Sequence, residues 1–163
     1  MSGIIIYRGT YGSTKQYADW IHEETGFPVF DSRDSAIPWD TETVVIGCPV
    51  IANKPFLLGW IQRNWTRLDG KNVVLFTTSG ADPAKKPVAE WIAKSLPEGL
   101  KAKIRVFPLA GRCDFSRMTG AHKLMLRIGA VVLRSEDIKR QMKIPVDGVA
   151  RANLEPLLAH LRS

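Results

Sequence analysis

The chain has 163 residues, 45% of them hydrophobic and 24% charged, enough for one ordinary domain with its own core and too apolar for a disordered tail. Its 23 Lys and Arg against 16 Asp and Glu leave a formal charge of +7. That excess is local: residues 1–100 carry 10 basic and 11 acidic side chains and residues 101–163 carry 13 and 5, so only the last third is basic.

In chain order, Gly3-Ile4-Ile5-Ile6-Tyr7 is an apolar run ended by a Gly-rich turn, which predicts a buried strand. Ser13 or Thr14 is expected to cap a helix running to Thr25, stopped by Gly26. Pro28-Val29-Phe30 and then Thr43 to Cys48 predict two further strands. Pro55 opens a helix with Phe56, Leu57, Trp60 and Ile61 turned inward. Asn72 to Thr77 is a strand, Pro83 to Ser95 a helix, and Lys103 to Phe107 the last strand. A helix over Arg117 to Leu133, a basic loop to Arg151 and a terminal helix from Asn153 close the chain. Strands that are apolar throughout and alternate with helices predict a parallel sheet covered on both faces, as one doubly wound α/β domain over residues 1–163. No apolar run approaches the roughly 18 residues of a membrane span. The first residues have no secretory pattern, and Cys48 and Cys113 make no disulfide framework, so a cytoplasmic location is expected.

Ligands of such sheets bind beyond the carboxyl ends of the strands, so function is read from three loops. The first, Arg8-Gly9-Thr10-Tyr11-Gly12-Ser13-Thr14, offers glycines for close backbone approach, hydroxyl donors and a helix N-terminus aimed at the same point. Residue types alone divide evenly between a phosphate site and an ordinary capped turn. The loop is neither G-x-x-x-x-G-K-[ST] nor G-x-G-x-x-G, and no G-x-S-x-G occurs in the chain.

These residues resemble the FMN-phosphate loop of flavodoxins, S/T-x-T-G-x-T, at Gly12 and Thr14, while Gly9 and Tyr11 depart from its hydroxyl positions. Tyr11 to Ile21, with Ala110 to Met118 and His122 to Met125, is similar to a subgroup that includes menaquinone-dependent protoporphyrinogen oxidases. The resemblance implies a flavodoxin-like sheet of five parallel strands in the order 2-1-3-4-5. It also implies an FMN cofactor, with the phosphate at Thr10, Tyr11, Gly12, Ser13 and Thr14. The flavin ring is then expected between Pro49, Val50, Ile51 and Ala52 on one side and Thr78, Ser79, Gly80 and Ala81 on the other. Where the family places a stacking aromatic and a flexible glycine, this chain has Ile51 and Ala52. An alanine at positive φ carries a cost that glycine does not, so the peptide flip of electron carriers is disfavoured. A ring face without its own aromatic leaves room for an organic substrate to stack.

Other residues read blandly. Cys48 and Cys113 are expected to be small buried hydrophobes. His22, His122 and His160 have no metal-ligand spacing, and the tryptophans Trp20, Trp60, Trp65 and Trp91 are expected to pack on helices. The stripe Ala121, Leu124, Met125, Ile128, Val131 and Val132 predicts a core face. Lys123, Arg127, Arg134, Lys139, Arg140 and Lys143 beside it suggest, as a rival, a surface for anionic lipid at the inner face of a membrane. No nucleic-acid-binding motif competes for the basic third.

The expected function is that of an FMN-binding oxidoreductase with a redox partner or small organic substrate, resembling the protoporphyrinogen oxidases and their quinone acceptor. No catalytic residue is assigned. Two alternatives stay open: a small electron-transfer flavodoxin without its own substrate, and an FMN-free module that binds another anion.

Overall fold

Strand formation follows the apolar runs in a computed structural model, which describes residues 2–80, 83, 87–132, 136, 139 and 143–163. β1 (Gly3–Tyr7), β2 (Val29–Asp31), β3 (Thr43–Ile51), β4 (Lys54–Pro55), β5 (Asn72–Ser79) and β6 (Ile104–Ala110) share one sheet. Five of them are parallel, in the order β2-β1-β3-β5-β6, and β4 folds back antiparallel on the end of β3. Without β4 this is the flavodoxin-like order 2-1-3-4-5.

The two-residue period of each strand supplies both faces of the sheet. β1 sends Ile4 and Ile6 one way and Ile5 the other; β3 divides Val44, Ile46 and Cys48 from Val45; β5 divides Val73 and Leu75 from Val74 and Phe76. Each face then needs a helical cover. On the first lie α2 (Leu58–Arg63), α3 (Trp65–Leu68), α4 (Pro87–Ser95) and α5 (Glu98–Lys101), with Ile61, Leu68 and Leu100 in the core. On the second, α1 (Ser13–Thr25) contributes Tyr17, Ala18 and Ile21. The C-terminal helix α7 (Glu155–Arg162) adds Leu157, Leu158 and Leu161. Tyr17 links these parts: its hydroxyl donates to the Ala110 carbonyl at 2.7 Å and accepts from Asn153 Nδ2 at 2.7 Å.

Several expected boundaries shift. The helix predicted from Pro55 is two short ones, because Lys54 and Pro55 are held in the hairpin with β3. α4 is described over Pro87–Ser95 and Pro83 lies in a turn, while residues 84–86 of the expected helix lie outside the described residues. A 3₁₀ turn (Phe115–Arg117) precedes α6 (Gly120–Val132), and another (Arg151–Leu154) precedes α7. Leu133, the expected end of α6, lies outside the described residues.

The larger correction concerns the stripe on α6. Leu124, Ile128, Val131 and Val132 are 53–76% exposed, Ala121 is exposed and Met125 only partly buried. None of them enters either core cluster. Both sheet faces are already covered by other helices, so no sheet surface is left for α6. Periodicity reports that a helix has an apolar face and not which surface that face meets.

Candidate functional site

The first loop leaves β1 and enters α1 through Gly12, whose φ of 87° lies in the left-handed region that glycine adopts without a Cβ penalty. No side chain caps α1, and no carboxylate stands in its first turn. The cap expected from Ser13 or Thr14 is not made, because both residues sit inside the helix with buried side chains. Their hydroxyls tie the site together instead. Thr14 Oγ1 and Thr78 Oγ1 share a hydrogen bond of 2.9 Å, and Ser13 Oγ accepts from the Arg112 N–H at 3.5 Å. When Thr78 is the donor, the Thr14 proton is left for an anion. An uncapped helix start with a hydroxyl beside it suits an anionic group by charge and by hydrogen bonding.

The second segment differs from an open loop. β3 continues through Ile51 and turns into β4 across two residues, Ala52 at φ 49° and Asn53 at φ 62°. Positive φ at both central residues is the signature of a type I′ hairpin, which glycine and asparagine favour. Ala52 therefore carries a left-handed backbone in the folded state, at a cost of about 1–2 kcal/mol. The ladder pairs Val50 with Pro55 and Ile51 with Lys54 hold it there.

The third segment is the end of β5. Gly111 packs so close to it that a Cβ would stand 3.1 Å from the Ser79 backbone, and the Gly111 N–H donates to the Ser79 carbonyl at 2.6 Å. β7 (Arg112–Cys113) follows at once and pairs antiparallel with β8 (Val146–Asp147), fastened by an Arg112–Asp147 ion pair at 2.9 Å.

These segments open on a cavity of about 860 Å³. Of the residues expected in the site, Thr10, Tyr11, Ser13, Thr14, Pro49, Val50, Ile51, Ala52, Thr78, Ser79 and Gly80 line it. Gly12 shapes the loop without lining the cavity, and Ala81 lies outside the described residues. Sequence reasoning missed three walls. One is α4, through Val88, Trp91 and Ile92; another is the start of β7, through Gly111, Arg112 and Cys113; the third is α6, through His122, Met125, Ile128, Gly129 and Val132. Trp91 is 42% exposed and, with Tyr11, brings aromatic surface that the second and third loops lack. The 88–91–92 and 125–128–132 spacings each mark a helix face, a local signal, but that the α6 face meets the first loop had none, because that meeting spans more than a hundred residues of chain.

That meeting is specific. Tyr11 Oη accepts from the Thr119 N–H at 3.3 Å and shares a hydrogen bond of 2.5 Å with His122 Nδ1. The two rings meet edge to face at 5.7 Å. Tyr11, which departs from the flavodoxin loop pattern, thus links the first loop to α6. Both cysteines are protonated thiols at neutral pH. Burial pushes the Cys48 thiol up to about 12, and burial together with the Asp114 charge raises Cys113 as well.

Several solved structures are similar to the chain at low identity. A flavodoxin from the domain Archaea is 17% identical, with 82% of this chain and 99% of that one covered and a TM-score of 0.45. A flavodoxin, WrbA-like protein from Agrobacterium tumefaciens is 13% identical, with coverage of 82% and 99% and a TM-score of 0.47. The rubredoxin oxygen:oxidoreductase from Desulfovibrio gigas is 18% identical over 88% of this chain and 37% of that one, with a TM-score of 0.45. No curated protein sequence matches the chain. The family model of the flavodoxin domain matches residues 4–136, most of the length, and the chain belongs to the flavodoxin domain family.

Proposed function

We propose that this protein binds FMN and uses it to oxidise or reduce an apolar organic molecule that shares the same cavity. The observation that carries the reading is the cavity itself. It joins an uncapped helix start and buried hydroxyls at one end to a largely apolar chamber at the other. Its volume of about 860 Å³ stands high in the range of about 300–1,000 Å³ for sites that take drug-sized ligands, which suits a flavin together with a second molecule.

In this reading Thr10, Ser13, Thr14 and the first N–H groups of α1 hold the phosphate, and the macrodipole adds about 0.3–1 kcal/mol. The ring lies among Pro49, Val50, Ile51, Ala52, Thr78, Ser79 and Gly80, with Ala81 next in sequence. Bound FMN supplies the electron chemistry, and the protein supplies orientation and exclusion of water. Trp91 and the α6 wall offer a flat substrate an apolar face, and the Tyr11–His122 pair places a proton-carrying group at the rim. The β3–β4 hairpin holds Ala52 between ladder pairs, which does not suit the backbone flip of one-electron carriers and favours two-electron chemistry on a substrate. With the motif similarity to protoporphyrinogen oxidases, this points to a porphyrinogen-like substrate and a quinone acceptor.

The test begins with pigment. Apoprotein titrated with FMN should quench the flavin fluorescence to saturation and turn yellow. Colourless protein that ignores added FMN overturns the proposal. The loaded protein should then be reduced in one two-electron step, and a soluble quinone should reoxidise it faster than a ferredoxin-type carrier does. A porphyrinogen should give fluorescent porphyrin. The reverse preference makes it a carrier without its own substrate.

A further inference from the structure

The face of α6 that the fold leaves uncovered has both a composition and a position. Leu124, Ile128 and Val131 recur at i, i+4 and i+7 along one side of the helix and are 59, 53 and 76% exposed. Ile144, beyond the helix, is 58% exposed as well. The row of Leu124, Ile128 and Val131 is exposed apolar surface of the kind that marks a binding face on a folded domain. Lys123 and Arg127 border the stripe. Both lean on the Phe115 ring, at 5.7 and 5.6 Å, and among the described residues neither is in an ion pair. From residue 115 to residue 135 the sequence has Arg117, Lys123, Arg127 and Arg134 and not one carboxylate.

We propose that α6 docks on an anionic lipid surface, lying in the plane of the headgroups with Leu124, Ile128 and Val131 buried and Lys123 and Arg127 on lipid phosphates. The charge pattern selects this occupant: an apolar stripe flanked by Lys123 and Arg127 complements a membrane that is apolar inside and negative at its surface. Among the described residues α6 has thirteen and no helix is long and apolar enough to cross a membrane, so the proposal has α6 lying on the bilayer. Ile128 and Val132 belong both to this exposed face and to the cavity wall. The mouth of the cavity therefore opens on the docking face. If the proposed function holds, on which this last point rests, an apolar substrate passes from bilayer to flavin without crossing water.

The experiment is co-sedimentation with vesicles of phosphatidylcholine and phosphatidylglycerol, with phosphatidylcholine vesicles as the control. The protein should sediment only with the anionic vesicles, less so as salt rises. Each of Lys123→Gln and Arg127→Gln should weaken the partition by about fivefold. Leu124→Glu with Val131→Glu should abolish it without moving the melting temperature, since both side chains are exposed. Wild-type protein that stays in the supernatant overturns the proposal, as do glutamate variants that still sediment. A dimer that those two glutamates dissociate, in protein that ignores vesicles, overturns it and gives the face to a second copy; tight binding to an oligonucleotide without vesicle binding likewise overturns it. FMN titration of the same samples keeps the two proposals apart, because either binding can fail alone.

Discussion

At residue scale the chemistry concentrates on hydroxyls and one carboxylate. Thr14 is 2% exposed, lies in the first turn of α1 and shares a hydrogen bond with the Thr78 hydroxyl. Thr14→Val keeps the shape and removes the donor, so FMN affinity should fall about tenfold or more, the worth of one charge-assisted hydrogen bond. Fluorescence titration measures it, and unchanged affinity moves the phosphate elsewhere. Asp31, at the end of β2, accepts from the Arg33 side chain at 2.8 and 2.7 Å and lies 3.5 Å from Arg8. The Arg33 hydrogen bonds chiefly hold its carboxyl down to about 2. A carboxyl more acidic in the folded than in the unfolded chain stabilises the fold above the unfolded value. That stabilisation is lost as pH falls from about 4 through about 2. Arg33 is largely solvent-exposed, so screening limits the effect to about 1 kcal/mol. Urea unfolding of Asp31→Asn should therefore show a deficit of that size at neutral pH that closes by about pH 2. A deficit independent of pH would assign the loss to packing.

At the scale of elements the β3–β4 hairpin is the distinctive piece. Its type I′ turn places Ala52, a residue with a Cβ, at φ 49°. Ala52→Gly relieves that cost but gives the unfolded chain more freedom, so a net stabilisation of about 0.5–1 kcal/mol is expected. A shift of the urea midpoint to higher concentration checks it; a destabilised variant would mean that the alanine methyl packs better than its backbone is strained.

For the whole molecule the question is which helices hold the sheet. α7 and the 3₁₀ turn before it close one face with Leu154, Leu157, Leu158 and Leu161, all at most 6% exposed, whereas α6 closes none. Leu157→Ala should cost about 2–5 kcal/mol and Leu124→Ala less than about 0.5 kcal/mol. Thermal and urea unfolding of the two variants compares them directly. Equal losses would return α6 to the core.

The sheet and the first loop were legible in the sequence because their signals are local. Continuous apolar runs predict strands buried on both faces, and glycines and hydroxyls between Tyr7 and the next helix predict a close backbone approach. Even there the helix cap was misplaced, since only packing against Thr78 and Arg112 draws Ser13 and Thr14 inward. The hairpin after Ile51 was hidden by the absence of the usual turn glycine. Only tertiary structure decided where the basic last third goes. The stripe of α6 has the same period whether it meets a core or solvent, and it became a cavity wall and an open face because other helices had filled both sides of the sheet. Its contact with Tyr11 depends on that filling, and no spacing along the chain encodes it.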